Sequence, residues 1–161
     1  MFDSNVFDVL VDRTEVGSKV HSAVSEGRIE VISTHVQRDE LSATPDPAKR
    51  ARLLEIFADL VREVPAGSFV IGESRLDQAR IDGPTVGTGE FDSVLRTSGS
   101  DRPDGTPNHT RDALIVDTAK AEGAILVSAE VNTSGAPGRI LKRAHAVGVQ
   151  TMTPDEFAAS L

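Results

Sequence analysis

Apolar residues along this chain alternate between helical stripes and short solid runs. After the polar turn Asp3-Ser4-Asn5, whose side chains can cap the following amides, residues 6–11 are apolar enough to begin a helix. Residues 15–25 read as an amphipathic helix closed by Gly27, and residues 28–33 as a short strand carrying Ile29, Val31 and Ile32. Thr34 with Gln37 three positions later is a capping box that starts the next helix. Within that helix Val36, Glu40 and Leu41 lie near one face, so Glu40 points toward buried neighbours. Asp46-Pro47 opens a further helix, with Leu53, Leu54, Phe57, Leu60 and Val61 as its core stripe. Residues 63–71 contain Pro65 and Gly67 and leave room for at most a short strand at 69–71.

The stretch 108–130 holds the rest of the pattern together. Asn108 and Thr110 are cap-type residues, a helix runs to a break at Gly123, and the apolar run 124–127 ends at Ser128-Ala129-Glu130. This is a helix feeding a buried strand. Asp112 falls in the first helical turn, where the helix dipole favours an anion, and Glu130 falls just past the carboxyl end of the strand. Downstream, Asn132 to Ser134 can cap a helix with Pro137 near its start, Gly148 ends it, and residues 149–152 form a last short strand. Thr153-Pro154-Asp155-Glu156 is a second capping box, with Pro at the first helical position of a terminal helix. Helices alternating with short apolar strands predict an α/β fold with a parallel sheet.

Between these elements, residues 82–107 shift toward Gly, Pro, Ser, Thr and Asp and read as a long loop with one helical turn around 91–96. Phe91, Val94 and Leu95 on that turn are expected to dock on the domain. The glycines at 83, 87 and 89 do not make a phosphate cradle, because the P-loop lysine and a preceding strand are missing.

Composition narrows the chemistry. A chain of 161 residues should form a single domain, here 1–161 with the 82–107 loop inserted. Only 4 % of residues are aromatic, so an aliphatic core of Val, Ile, Leu and Ala is expected. Without cysteine there is neither a disulfide framework nor a thiolate metal site. No apolar stretch reaches membrane-spanning length and no signal-peptide pattern opens the chain, which leads to the expectation of a cytoplasmic protein without a membrane partner. A formal charge of -8 opposes broad nonspecific nucleic-acid binding, while the surplus of carboxylates suits a hard cation such as Mg²⁺ or Mn²⁺.

Asp3 in its D-S-N turn, Glu40 in THVQRDEL, Asp112 in RDALIVDTAKAEGAILVSAE and Glu130 after that run resemble, in order and spacing, the PIN-domain nucleases. The resemblance spans nearly the whole chain, from Asp3 to the terminal TPDEF segment, and is most specific in the third block of acid, helix, glycine, strand and acid. It implies a three-layer α/β/α PIN-like fold, with a short central parallel sheet that gathers the acids at its carboxyl edge. It further implies an endoribonuclease, a phosphodiester hydrolase whose carboxylates hold Mg²⁺ or Mn²⁺. By this match Asp3, Glu40 and Asp112 are the core of the catalytic set and Glu130 is its fourth acid, with Asp3, Asp112 and Glu130 on the metal. Asn5 would contact the ligands from behind or meet substrate, and Ser128 would position Glu130 or a phosphate. The implied partners are an RNA substrate and, by analogy with the toxins of toxin–antitoxin pairs, an antitoxin protein and a second copy of the chain.

Three positions depart from the family pattern. Only Met1 and Phe2 precede Asp3, Glu130 stands where Asp after Thr is usual, and Asp117 replaces a small apolar residue. Asp117 is rotated roughly 140° from Asp112 on a regular helix, so it ranks below Glu130 as a ligand and either meets a polar neighbour or faces solvent. Those departures motivate the alternative of a catalytically degenerate PIN domain that binds RNA or protein. A phosphohydrolase or phosphoacceptor built on Asp3 would need an adjacent acid and a strand-borne lysine, which the sequence does not offer. His35 and His109 near helix starts read as capping or surface residues. Arg139, Lys142 and Arg143 read as a solvated helix face, with a phosphate-tracking patch led by Arg139 and Arg143 as the functional reading; Lys49, Arg50 and Arg52 read the same way.

Overall fold

The computed structural model describes residues 1–70, 74–81, 110–130 and 138–161, and of Arg139 only the backbone. Its organising feature is a three-residue ribbon at the amino terminus. The Phe2 amide donates to the Ile32 carbonyl at 3.2 Å on one side, and the Asp3 amide donates to the Val127 carbonyl at 3.0 Å on the other. On the first side lies β1 (Val31–Ser33), paired in parallel with β2 (Val61–Glu63). On the second lies β3 (Leu126–Val127), in parallel with β4 (Thr151–Met152), and Phe2 itself bridges Val127 in parallel. The lateral order is therefore β2, β1, ribbon, β3, β4.

Side-chain alternation on these short strands sorts the core into two clusters. Phe2, Val31 and Val127 enter one, with Val6, Phe7 and Leu10 of α1 (Ser4–Asp12), Val16 and Val20 of α2 (Thr14–Ser25), and Leu53, Phe57 and Leu60 of α4 (Pro47–Leu60). Their neighbours in sequence, Met1, Ile32 and Leu126, enter the other, with Ile115, Val116 and Ala119 of α5 (Thr110–Ala121) and Ile140, Leu141 and Ala144 of α6 (Arg139–Ala146). This second cluster is aliphatic as expected. The first is not, because Phe2, Phe7, Phe57 and Phe157 pack ring against ring at centroid distances from 5.4 to 6.1 Å. A few aromatics suffice when each buries a large area at one point.

The caps were legible. Asp3 precedes α1 and accepts from the Ser4 amide, Thr34 and Gln37 form the capping box of α3 (His35–Ser42), and Asp46 accepts from the Ala48 and Lys49 amides ahead of Pro47. Thr153 and Glu156 form the second box, starting α7 (Pro154–Ser160). Gly27, Gly123 and Gly148 all stand at positive φ after helices, as the breaks required. Strand boundaries were less legible. Residues 28–30 do not belong to β1, and Val61, placed on the helix stripe, instead opens β2. Helix α4 passes into that strand without a glycine or proline, so no turn residue marks the change; pairing with Val31 decides it. Phe69 and Val70 are not in a strand, and α6 begins at Arg139 with Gly138 as its N-cap. The 82–107 loop, His109 and the segment 132–137 lie outside the described residues. Among the described residues no helix is long and apolar enough to cross a membrane.

Candidate functional site

Three elements carry the acids whose charges act on Asp3 or belong to it. Asp3 ends the central ribbon and caps α1, α3 departs from the carboxyl end of β1 and carries Glu40, and α5 carries Asp112 in its first turn. Asp3 is buried, 6 % exposed, and its two oxygens have separate duties. Oδ1 accepts from the Ser4 amide at 2.8 Å, and Oδ2 accepts from the Ser128 hydroxyl at 2.7 Å. Burial pushes the Asp3 carboxyl up to about 6; the charges of Glu40 and Asp112 add to the rise, while the bonds from Ser128 and Ser4 oppose it. Glu40 and Asp112 therefore act electrostatically on Asp3, although Asp112 lies 109 positions along the sequence from Asp3. Glu40 is partly buried, and the Arg111 guanidinium stands 3.9 Å from its Oε1.

Ser128, fully buried after β3, is the hub of this edge. Its single proton goes to Asp3, and its oxygen accepts from Asn5 Nδ2 at 3.1 Å and from the Glu130 amide at 3.1 Å, which fills a hydroxyl's capacity. Asn5 in turn accepts from the Ala129 amide at 2.8 Å through Oδ1. Asn5 and Ser128 thus form a scaffold that locks the ribbon's end to the turn after β3.

Glu130 takes a different course from the other acids. Its Oε2 accepts from the Ile140 amide at 2.7 Å, its carbonyl accepts from the Gly138 amide at 2.7 Å, and its side chain caps α6 from outside that helix. A carboxylate at a helix N-terminus is favoured by the exposed amides and by the dipole. One oxygen of Glu130 is thereby committed to holding α6.

Asp117 has the polar neighbour that its helical angle allowed. It is buried, 3 % exposed, and Oδ2 accepts from the Ser68 hydroxyl at 2.8 Å. His35, expected at a cap or on the surface, is the first residue of α3 and is buried. Arg143, expected on a solvated face, is buried on α6 beside exposed Lys142, so that helix does not present the two as one basic face. Arg139 opens α6, and its side chain lies outside the described part. Lys49 pairs with Asp8 at 2.6 Å, linking α4 to α1, and Arg50 donates to the Thr44 carbonyl at 3.0 Å at the start of α4. Sequence reasoning missed two residues that shape the site: Gln37, whose Nε2 donates to the Phe2 carbonyl at 3.2 Å, and Gly138, pressed against Glu130. The capping box pointed to Gln37, but its bond to the ribbon, 35 positions away, has no sequence signature.

The side chains that Asp3, Glu40 and Asp112 offer are carboxylates, the donor type that hard divalent cations select. As the side chains stand, no group of three or more acids or histidines among the described residues is close enough to hold a metal ion. Comparison with protein-family models, with curated proteins and with solved structures gives no match.

Proposed function

We propose that this protein is a metal-dependent ribonuclease of the PIN type, acting at the edge formed by Asp3, Glu40 and Asp112. The observation that carries this reading is the Asp3 carboxylate, buried at the end of the central ribbon and held by the Ser128 hydroxyl and the Ser4 amide, with the charges of Glu40 and Asp112 acting on it. A carboxylate held out of water and acted on by two further negative charges is poorly placed for stability and well placed for a cation, whose charge would relieve the repulsion. Two small parallel sheets flanking the ribbon, with a core cluster on each side, support a three-layer α/β/α arrangement of the PIN kind. Asp3, Glu40 and Asp112 would hold Mg²⁺ or Mn²⁺, and Glu130 would contribute through the oxygen not bonded to Ile140. The bound ion would supply an activated water and charge stabilisation at the scissile phosphate. Ser128 and Asn5 keep the Asp3 carboxylate from rotating, and Arg111, beside Glu40, offers a cation to an incoming phosphate. An antitoxin protein and a second copy of the chain are the partners that the analogy proposes, with the cytoplasm as the setting.

Glu130's engagement with α6 favours one second reading, a PIN-like domain that binds RNA or protein without cleaving. Purified protein incubated with single-stranded RNA and Mn²⁺ separates the two. Cleavage that collapses in Asp112→Asn, with the variant folded, supports the nuclease. RNA binding without cleavage in the parent chain, and no Mn²⁺ uptake, supports the binding module.

A further inference from the structure

The segment that follows β2 runs from α3 to α5 and is fixed at both ends. On the α5 side the contact is buried and close. Ser68 donates to Asp117 at 2.8 Å, and the Gly67 amide donates to the Thr118 hydroxyl at 2.9 Å. A Cβ at Gly67 would lie 2.5 Å from Asp117 Oδ2 and 3.0 Å from the Thr118 nitrogen, so the segment's backbone rests directly on the helix. Farther along, Arg80 pairs with Glu122 at the end of the same helix. On the α3 side, Arg75 pairs with both oxygens of Asp39 at 3.0 and 2.8 Å, and Arg38 donates to Gln78 at 3.3 Å. The segment's two halves are joined by the Ala66–Ala79 bridge and by the Ala66 and Arg80 amides, each donating across it at 2.9 Å.

Asp39 precedes Glu40, and Asp117 lies about 7.5 Å along the axis of α5 from Asp112. A buried carboxylate inside a helix is costly compared with an apolar residue of similar size, unless its hydrogen bond supplies direction that packing cannot. We propose that residues 64–70 and 74–81 form a bracket that sets the spacing of α3 and α5, with Asp117 as the positioning residue that fixes α5 and hence the distance between Glu40 and Asp112. The metal-site half of this inference rests on the nuclease reading; the bracket itself does not.

The chain has no cysteine, so labels can be placed cleanly. Spin labels on Ser42→Cys of α3 and Lys120→Cys of α5, both exposed positions, report the helix spacing by pulsed electron resonance. In the parent a single narrow distance is expected. Asp117→Ala and Ser68→Ala should widen it and add a longer distance. Arg75→Ala should do so less, since its pair is exposed. Asp117→Asn, which still accepts from Ser68, should restore the narrow distance, and Arg62→Ala at the far pair with Glu30 should leave it unchanged. Calorimetric Mn²⁺ titration of the unlabelled proteins should show half-saturation raised about tenfold in Asp117→Ala and Ser68→Ala and unchanged in Asp117→Asn. If Asp117→Ala does not fold, Ser68→Ala and Arg75→Ala decide the matter from the bracket's side. An unaltered distance in folded Ser68→Ala combined with Arg75→Ala overturns the bracket. A wider distance with unchanged Mn²⁺ binding overturns its link to the site. If the parent takes up no Mn²⁺, the nuclease reading and that link fail together, while the distances still decide the bracket.

Discussion

The Ser128 hydroxyl donates to Oδ2 of Asp3 at 2.7 Å, across 125 positions of sequence. That bond joins the end of the central ribbon to the turn after β3, and it holds a buried carboxylate in one orientation beside Glu40 and Asp112.

Asp3 should make stability fall as pH rises. Its folded-state value, about 6, lies above the ordinary 3.8, so the folded protein holds the proton more tightly than the unfolded chain. The associated stability is complete below pH ~4, is lost as pH climbs to ~6, and amounts to at most about 3 kcal/mol. The buried Met1 ammonium, lowered to about 5, adds stability over pH 5 to 8 in parent and variant alike, so denaturant titrations from pH 4 to 8 should show the slope as a difference: the parent loses stability relative to Asp3→Asn as pH rises. A parent-minus-variant difference that does not fall between pH 4 and 6 would contradict the buried, unneutralised carboxyl. On the nuclease reading, Mn²⁺ should raise the melting temperature more at pH 7 than at pH 5.

Ser128→Ala should cost about 1–3 kcal/mol, since it strips a partner from Asp3, Asn5 and the Glu130 amide at once. Because the lost bond favours the ionised form, the Asp3 carboxyl should titrate higher still, as carboxyl-carbon NMR can follow. An Asp3 titration unmoved by the substitution would mean that the hydroxyl does not donate to it.

Gly138 and Glu130 should behave as one unit. A Cβ at Gly138 would stand 2.6 Å from the Glu130 carbonyl oxygen, a backbone atom that cannot swing aside. Gly138→Ala is expected to destabilise by about 1–3 kcal/mol. Glu130→Gln, still accepting from the Ile140 amide, should stay within about 1 kcal/mol of the parent, and Glu130→Ala should lose about 0.5–2 kcal/mol as a missing cap. Thermal melts of the three variants test this order.

Gln37→Glu discriminates the two bonds of Gln37. The variant keeps an acceptor for the Thr34 amide but loses the donor to the Phe2 carbonyl, and it sets a fully buried carboxylate against that oxygen. A loss of about 2–4 kcal/mol follows from the stranded charge. A loss near zero would show that α3 does not depend on its bond to the ribbon.

The sequence alone determined whatever depends on near neighbours. Thr34 with Gln37 and Thr153 with Glu156 announce helix starts because the partners lie within one turn, and Gly27, Gly123 and Gly148 announce stops because a left-handed residue needs no tertiary help. The α/β character was legible for the same reason: apolar spacing reports which local shape buries the most surface. The tertiary structure decided what two distant segments settle between them. Val61 leaves the helix stripe only because β1 stands ready to pair with it, and Phe2 and Asp3 make a central ribbon only because Ile32 and Val127 flank them. It also divided the acids. Asp3 is held by Ser128, Glu130 is turned to the amides of α6, and Asp117 is turned inward to Ser68. A carboxylate's type and position in sequence say that it can accept hydrogen bonds; which donors reach it depends on segments brought together by folding.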